Sequence, residues 1–330
     1  MKWLITGGAG FIGINLIREL LQTDGNTIRV FDDLSVGTFE ALAEIARVIE
    51  LDDSDSSWLS DDTGQIQLVR ASILDEDRIA KAAAGFDVIV HLAANTGVAP
   101  SVANPRADCM ANVVGTLNCL EAARHGGVKR FIFASSGAPV GDVDPPLNEN
   151  SIPKPISPYG ASKLAGEGYC SAYYRTFGVE TVALRFSNVY GPHSGHKNSI
   201  VAAFISRALA GKVCEIYGDG EQTRDFLYIG DLIGAISKAV AAKNIGGEIF
   251  QIATGIETSV NQLAGMLDQS LSVCGHAMKI EHLASRVGDA HRNYAEVEKA
   301  RKKLGWSAEV KIEEGLNATV KWFHDEMDAN

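Results

Sequence analysis

The first half of the chain alternates short apolar runs with longer segments of helical periodicity. The runs are rich in β-branched and aromatic residues, and they read KWLIT, TIRVFD, IQLVRA, DVIVHLAA, KRFIFASS and ETVALRF. Such alternation is typical of parallel strands that carry helices on both faces. The sequence therefore predicts an α/β fold built on a doubly wound parallel sheet.

Beyond about residue 185 the pattern becomes less regular. Loops at YGPHSGHKNS and YGDGEQTRDF accompany helices predicted near 200–210, 230–242 and 259–271. We expect a smaller, interleaved C-terminal lobe, with one domain over 1–184 plus about 228–254 and the other over about 185–227 plus 255–330. The acidic segment from Glu50 to Gly64 is predicted to be a solvated loop.

Composition excludes several classes of function. The formal net charge of −11 argues against nucleic acid or an anionic membrane as a partner, because phosphate groups bind clustered lysine and arginine. No apolar run approaches the roughly 20 residues of a membrane span. The chain begins with strand-like MKWLITGG, so we expect no signal peptide and a cytoplasmic location. The five cysteines are scattered without metal-ligand spacing, so reduced thiols and no metal are expected.

A glycine-rich loop lies between the first predicted strand and the first predicted helix. In TGGAGFIG, Gly8, Gly10 and Gly13 fit G-x-G-x-x-G, and Gly7, Gly10 and Gly13 fit a three-residue repeat. Either spacing lets the backbone and a helix N-terminus approach a pyrophosphate. The loop is therefore a candidate dinucleotide site.

Two acidic residues support this interpretation. Asp32 and Asp33 end the second predicted strand, 19 and 20 residues after Gly13. A carboxylate at that distance can accept hydrogen bonds from the adenosine ribose, and it would repel a 2′-phosphate. NAD is therefore predicted rather than NADP.

The stretch ISPYGASKLAGEG places Tyr159 and Lys163 four residues apart. Ser157 can cap a helix and Pro158 suits its first turn, so both side chains are predicted on one helix face. Taken alone, such a pair is most often a surface feature, and its meaning depends on the rest of the chain.

Nine segments occur in a specific order along the whole chain: TGGAGFIG, FDDLSVG, HLAA, NVVGTLN, FIFASSGAPVGD, SPYGASK, RFSNVYGP, YGDGEQTRDFLYIGDL and RVGDAHRNYAEVEKARKKLGW. With them the chain resembles the extended short-chain dehydrogenases/reductases, and specifically the NAD-dependent sugar-nucleotide epimerase/dehydratase family, with the UDP-glucose 4-epimerase-like group most similar. The resemblance covers essentially the whole chain. It implies a Rossmann-type fold, NAD as cofactor, a UDP-sugar substrate, and a homodimer formed through helices near 107–125 and 158–177.

The resemblance also implies a catalytic centre. Tyr159 is its proton acceptor, Ser136 bonds the substrate oxygen that is oxidised, and Lys163 bonds the nicotinamide ribose. A free phenol has a pKa near 10, so Lys163 and the positive nicotinamide ring are expected to favour the phenolate. Ser135 either supports Ser136 or caps the strand end, and Asn112 is more structural than catalytic.

Other contacts implied by the resemblance are spread along the chain. Those to the cofactor are Gly7, Gly10, Phe11, Ile12, Gly13, Asp32, Asp33, Ser72, Ile73, Leu92, Ala93 and Ala94, together with Tyr159 and Lys163. Those to the substrate are Thr96, Ser135, Ser136, Asn188, Asn198, Tyr217, Arg224, Arg286 and Asp289. Asn188 and the two arginines are expected at the diphosphate, where a planar guanidinium can donate in pairs. Tyr217 is expected near the uracil and Asp289 at the ribose.

The residues after Ser136 bear on the reaction. The family's 4,6-dehydratases carry an Asp-Glu pair directly after the catalytic hydroxyl, whereas Gly137 and Ala138 follow here. The resemblance thus implies NAD-dependent C4 epimerisation of a UDP-hexose, either glucose/galactose or the N-acetylhexosamine pair, through a transient 4-keto intermediate. Open alternatives are a uronic acid epimerase, decarboxylase, dehydratase or 4-keto reductase of the same fold, and a catalytically idle NAD-binding scaffold.

The chain departs from the family pattern at several positions. Ser72 stands where an aspartate commonly meets the adenine, and Pro139-Val140-Gly141 replaces Val-Tyr-Gly. Ala99 replaces an arginine of uronic acid epimerases, which weakens the case for a carboxylated sugar. Asn293 stands where glucose-restricted epimerases can carry a bulky tyrosine, and Thr96 is small, so an N-acetylated hexose could fit.

Overall fold

The structure is a computed structural model that describes residues 1–52, 58, 63–195, 199–284 and 291–329. It divides into two compact units. The first comprises Met1–Val143, Glu149–Arg185 and Ile236–Phe250, and the second comprises Asp144–Asn148, Phe186–Ala235 and Gln251–Asn330. Within the described ranges no helix is both long and apolar enough to cross a membrane, and no group of three His, Cys, Asp or Glu side chains could hold a metal ion.

Strands and helices alternate along the chain. Up to residue 186 they are β1 (Lys2–Thr6), α1 (Phe11–Leu21), β2 (Thr27–Asp32), α2 (Phe39–Ala43), β3 (Val48–Glu50), β4 (Ile66–Arg70), α3 (Glu76–Ala83), β5 (Val88–His91), α4 (Val98–Ala103), α5 (Pro105–Cys109), α6 (Gly115–Gly126), β6 (Arg130–Ser136), α7 (Pro158–Phe177) and β7 (Thr181–Phe186). After it follow β8 (Asn188–Tyr190), α8 (Ile200–Leu209), β9 (Val213–Tyr217), β10 (Thr223–Arg224), β11 (Phe226–Tyr228), α9 (Ile229–Ala241), β12 (Glu248–Ile252), β13 (Thr258–Ser259), α10 (Val260–Val273), β14 (Lys279–Leu283), α11 (Glu298–Leu304) and α12 (Ile312–Ala329).

The first unit is built on an eight-stranded sheet with the order β12-β7-β6-β5-β1-β2-β4-β3. β1 pairs in parallel with β2 and β5, and β5 pairs in parallel with β6. β2 is buried along its whole length, as expected for a parallel strand whose two faces are both covered. The predicted doubly wound α/β fold is confirmed.

The predicted solvated loop from Glu50 to Gly64 is wrong for two of its residues. Leu51 and Trp58 are buried in the core of the first unit. Arg29, in the middle of β2, is also buried, and its guanidinium donates to the carbonyl oxygen of Trp58 at 2.5 Å while lying 5.4 Å from the Trp58 ring centroid. A buried guanidinium needs acceptors and favours aromatic faces. Trp58, in the acidic segment, thus supplies both a hydrogen-bond acceptor and an aromatic face for Arg29.

The helix predicted near 107–125 is interrupted. α5 ends at Cys109, a π-helical turn spans Met110–Val114, and α6 begins at Gly115. The turn carries the buried Asn112, whose amide nitrogen donates to the Asn95 carbonyl at 2.9 Å and whose amide oxygen accepts from the Asn95 N–H at 2.8 Å. These bonds tie the segment after β5 to the interrupted helix.

A buried histidine connects the sheet to α6. Thr116 Oγ1 donates to the Asn112 carbonyl at 2.6 Å, so it accepts from His91 Nε2 at 3.0 Å. His91 Nδ1 then accepts from Thr6 Oγ1 at 2.7 Å. Burial lowers the pKa of His91 to about 3, so the ring is neutral with its proton on Nε2. This relay holds the end of β1, directly before the glycine loop, against α6.

The second unit has short strand pairs and a helical core. β8 pairs in parallel with β11, β9 in parallel with β14, and β10 antiparallel with β13. α8, α10 and α12 pack around a buried apolar cluster that includes Phe204 and Leu263. Asp225, between β10 and β11, is fully buried and accepts from the N–H groups of Thr254 and Gly255 at 2.8 Å each. These bonds satisfy a carboxylate that would otherwise be costly to bury.

Candidate active site

The glycine loop has the close backbone approach that its sequence predicts. Gly7 has a φ of +69°, and a Cβ there would lie 2.6 Å from the Ala93 nitrogen. A Cβ at Gly13 would lie 2.4 Å from the Gly8 carbonyl oxygen. Residues with side chains fit neither position, so the loop can pass close to β5 and to its own helix.

The N-terminus of α1 is open to an anion. Its N-cap is Gly10, in an extended conformation, and no side chain caps the first turn. The first amide N–H groups of a helix lack acceptors within the helix, and the helix dipole adds positive potential there. A pyrophosphate fits this end of the helix.

Asp32, the last residue of β2, and Asp33, the residue after it, have different surroundings. Asp32 is buried and accepts from the Ala9 N–H at 2.9 Å and the Leu34 N–H at 2.8 Å, so it braces the glycine loop. Burial raises the pKa of Asp32, and these two bonds oppose that rise. Asp33 is exposed and accepts from the Ser35 N–H at 3.0 Å. Each carboxylate oxygen can accept more than one hydrogen bond, so these bonds leave room for a further bond from the adenosine ribose. That ribose contact stays a prediction.

Gly37 is a loop-supporting residue that the sequence reasoning missed. A Cβ at Gly37 would lie 2.1 Å from the Ala9 carbonyl oxygen, so the segment after β2 packs directly on the glycine loop. The only signal for it was its place at the end of the segment FDDLSVG.

The other predicted cofactor residues lie at the same edge of the sheet. Ser72 and Ile73 follow β4, and Leu92, Ala93 and Ala94 follow β5. The neighbouring strands β5, β1, β2 and β4 are parallel, so the structure brings these residues to one edge with the glycine loop and Asp32. Ligands of open α/β sheets bind at the carboxyl ends of the strands.

The predicted catalytic helix begins where its sequence indicates. Ser157 Oγ accepts from the Gly160 N–H at 3.1 Å, and Pro158 is the first residue of α7. Tyr159 forms a hydrogen bond with Ser136, the last residue of β6. The structure therefore brings together the hydroxyl and phenol that the sequence places 23 residues apart.

Lys163 lies one turn further along α7 and is buried. Its Nζ donates to the Ala134 carbonyl at 2.9 Å and lies 5.9 Å from the Tyr159 ring centroid. Burial lowers the pKa of Lys163 to about 8, and the carboxylate of Asp108 is the largest opposing influence. The amine thus remains mostly protonated at neutral pH.

The phenol of Tyr159 is not ionised by the chain alone. Burial raises the pKa of Tyr159 to about 12, which the bond from Ser136 opposes and the charge of Asp108 reinforces. Lys163 donates its hydrogen bond to the Ala134 carbonyl rather than to the phenol. The phenolate at neutral pH therefore requires further positive charge, which the sequence-based expectation assigns in part to the nicotinamide ring.

Ser135 has a partner that the sequence did not predict. Its hydroxyl donates to Glu167 Oε1 at 2.6 Å, and Glu167 is paired with Arg185 through two bonds of 2.7 Å. Its single proton is used there, so a substrate contact of Ser135 stays a prediction that would use the oxygen lone pairs. One-turn spacing from Lys163 was the only sequence signal for Glu167.

The segment after Ser136 forms a turn with defined contacts. The Val140 N–H donates to the Gly137 carbonyl at 3.1 Å. Gly141 has a φ of +67°, and a Cβ there would lie 1.8 Å from the Lys154 carbonyl oxygen. The turn is thus pressed against the segment that leads into α7.

Some predicted substrate residues lie elsewhere. In the second unit, Asn188 pairs in register with Phe226, and its N–H donates to the Asp225 carbonyl at 3.0 Å, directly after Arg224. Tyr217 ends β9. Thr96 is exposed in the first unit, and Asn198, Arg286 and Asp289 lie outside the described residues.

Comparison with known proteins decides the family. A protein-family model described as NAD dependent epimerase/dehydratase family matches residues 3–253 of the chain. The chain belongs to this family. The resemblance inferred from the sequence is confirmed. The prediction that the cofactor is NAD is confirmed as well.

Relatives in this epimerase/dehydratase family carry out more than one reaction. A putative UDP-glucose 4-epimerase of Methanocaldococcus jannaschii is 36% identical over 97% of both chains. The structure of the UDP-glucose 4-epimerase of Thermotoga maritima with UDP-glucose is similar, with a TM-score of 0.87, 35% identity and coverage of 99% of this chain and 100% of that one. A dTDP-glucose 4,6-dehydratase of Streptomyces niveus is 32% identical over 98% of this chain and 93% of its own.

The glycine loop yields a test of cofactor binding. Gly7→Ala adds a Cβ to a left-handed residue against Ala93. A strain of about 1–2 kcal/mol corresponds to roughly 5–30-fold weaker NAD binding. NAD affinity of the NAD-free protein is measured by calorimetry.

Gly265→Ala is the matched control, because Gly265 is an exposed residue of α10 and a Cβ there meets nothing within 4 Å. It should leave NAD affinity unchanged and stabilise the helix by about 1 kcal/mol. Equal NAD affinity in both variants would contradict the proposed path of the loop.

Proposed function

We propose that this chain is an NAD-dependent 4-epimerase of a UDP-hexose that works through a transient 4-keto sugar. The hexose belongs to the glucose/galactose pair or to the corresponding N-acetylhexosamine pair. The family alone is compatible with uronic acid epimerases and dehydratases, so the proposal depends on the residues around Ser136.

One observation carries the proposal. Ser136 and Tyr159 are hydrogen-bonded at the junction of β6 and α7, while Gly137 and Ala138 follow Ser136. The Ala138 N–H donates to Ser136 Oγ at 3.2 Å, and a Cβ at Gly160 would lie 2.6 Å from the Ala138 oxygen. A hydroxyl and a phenol suffice to remove and return the proton of the C4 hydroxyl group, whereas elimination of water needs an additional acid and base. Neither Gly137 nor Ala138 can supply them.

The roles of the chain's own residues follow from their geometry. Tyr159 accepts the proton of the C4 hydroxyl, and Ser136 bonds the same oxygen. The ammonium group of Lys163 favours the phenolate through its charge. Since the same groups can return the proton to the C4 oxygen of the 4-keto sugar, they serve both directions of the reaction.

When bound, NAD would supply the hydride chemistry needed at C4. Gly7 and Gly13 would let the backbone approach its pyrophosphate, and the uncapped N-terminus of α1 would favour the phosphate charge. Asp32, held by the Ala9 and Leu34 N–H groups, is assigned to the adenosine ribose.

The second unit is assigned to the nucleotide of the substrate. Asn188 and Arg224 are joined through the backbone of Asp225, which gives an amide and a guanidinium suited to diphosphate oxygens. Tyr217, in β9, is assigned to the uracil. Asn198, Arg286 and Asp289 complete the assignment by resemblance to the family.

Substrate conversion tests the proposal. The purified protein is incubated without added NAD with UDP-glucose, UDP-N-acetylglucosamine and UDP-glucuronate, and the C4 epimers are separated by chromatography. We expect interconversion of one of the first two sugars. Tyr159→Phe should reduce the rate by about 10²–10⁴-fold, the usual contribution of a proton acceptor.

Tyr169→Phe is the matched control, because Tyr169 lies exposed on the same helix, and it should keep the full rate. Loss of water or carbon dioxide from a sugar would identify a dehydratase or decarboxylase instead. NAD binding without any turnover would favour an idle scaffold.

The outer face of α7 supports a homodimer, as the resemblance implies. Ala161, Gly168 and Ala172 are exposed and Ala165 is half-buried, and their spacing forms one stripe of small residues along the helix. Exposed Tyr169 flanks the stripe. Gly166, by contrast, faces its own sheet, because a Cβ there would lie 2.3 Å from the Phe133 ring. The stripe would permit close approach of a second copy.

Gly168→Arg tests the dimer. A Cβ at Gly168 meets nothing within 4 Å, so the chain itself can accommodate arginine, while a second helix could not. Light scattering after size exclusion should give a monomer mass for Gly168→Arg and a dimer mass for Val273→Arg, an exposed position on α10. A dimer in both variants would place the interface elsewhere.

A further inference from the structure

Three consecutive residues of β6 contact α7 at three successive turns. Ser136 bonds Tyr159, the Ala134 carbonyl accepts from Lys163 Nζ at 2.9 Å, and Ser135 Oγ donates to Glu167 Oε1 at 2.6 Å. In the last of these contacts, Glu167 touches neither substrate nor cofactor in the proposed reaction. Its role therefore needs a separate explanation.

The Glu167 contact is a deeply buried ion pair with Arg185. Glu167 and Arg185 are each 2% exposed. Arg185, on β7, donates from Nε to Oε1 and from Nη2 to Oε2, both at 2.7 Å. With Ser135 the carboxylate accepts three hydrogen bonds. The geometry is that of a bidentate arginine–carboxylate pair, which has a narrow range of allowed positions.

Stability alone does not account for such a pair. A buried ion pair must overcome the desolvation of both charges, and apolar residues of similar size often stabilise a core as well or better. The pair lies one helical turn from Lys163, on the helix that carries both proposed catalytic groups. Its position, rather than its contribution to folding, is the informative feature.

We propose that Glu167 is a positioning residue of the active site: through Ser135 and Arg185 it holds α7 in register with β6, and its charge stabilises the ammonium group of Lys163. The proposal rests on the proposed function only in taking Tyr159 and Lys163 as the catalytic pair. It adds a residue that neither binds substrate nor transfers a proton.

The charges around Lys163 agree with this role. Burial lowers the pKa of Lys163 to about 8, and Asp108 on α5 and Cys170 and Glu167 on α7 act against that decrease. His91 on β5 is neutral, and Arg185 on β7 is neutralised by Glu167. Loss of the Glu167 charge would therefore lower the pKa of Lys163 further.

Variants of Glu167, Arg185 and Ser135 separate an effect on positioning from an effect on folding. Glu167→Gln removes the charge but leaves Arg185 buried and unpaired, which can prevent folding. The double variant Glu167→Gln/Arg185→Met removes both charges and avoids that cost. Ser135→Ala removes the link between Glu167 and β6 and leaves the Glu167–Arg185 pair in place, but it also removes the predicted substrate contact of Ser135. Glu180→Gln is the control, because Glu180 pairs with Arg130 in the same unit but is 39% exposed.

The first readout is independent of any sugar. In protein labelled with ¹³C-lysine, the ε-carbon resonance of Lys163, assigned by its absence in Lys163→Met, is titrated by NMR. In the double variant the midpoint should fall, because Glu167 is one of the groups that raise the pKa of Lys163. In Glu180→Gln and in Ser135→Ala it should not move.

The second readout is the pH profile of epimerisation. Lys163 must be protonated to act, so a lower midpoint moves the alkaline fall of kcat to lower pH by the same amount, with KM changed less than about threefold. Ser135→Ala should lower kcat about tenfold or more without moving the profile.

An unmoved Lys163 titration together with wild-type kinetics in the double variant would overturn the proposal and leave the pair a purely structural contact. If the wild-type protein converts no UDP-sugar, the proposed function fails, but the NMR titration still decides the electrostatic part of the inference. If the double variant does not fold, an unchanged rate in Ser135→Ala overturns the positioning part.

Discussion

The close approach of α7 to the end of β6 is the contact on which the candidate site depends. Two glycines permit it: a Cβ at Gly160 would lie 2.6 Å from the Ala138 oxygen, and one at Gly166 would lie 2.3 Å from the Phe133 ring. Any larger residue at these positions would push the helix away from the strand. The approach in turn brings Lys163 and Glu167 out of water and into reach of the strand.

Removal from water then defines the electrostatics of the site. It lowers the pKa of Lys163 and raises that of Tyr159, because burial disfavours the charged form of both groups. The proposed catalytic pair is therefore sensitive to any further charge close by. Asp108 acts on both groups and Glu167 acts on Lys163, and the positively charged nicotinamide of a bound cofactor would add to these influences.

Sequence reasoning predicts those features that depend on neighbouring residues. The bounds of α7 follow from Ser157 and Pro158 at its start and from Gly178, at a φ of 72°, at its end. The glycine loop is likewise a local motif. The features it misses join residues distant in sequence: Thr6 with His91, 85 positions apart, and Ser135 with Glu167, 32 apart. Such pairs arise from the packing of strands and helices, which no single segment encodes.

The central claim is that the hydride removed from C4 is the one that returns to it, with Tyr159 and Ser136 moving only the proton on oxygen. The most direct measurement uses UDP-glucose and UDP-N-acetylglucosamine deuterated at C4, incubated in ordinary water, with mass spectrometry of the separated epimers. The account predicts that the epimer formed retains the full deuterium label. Replacement of the label by solvent hydrogen, or a product lighter by one water, would contradict it.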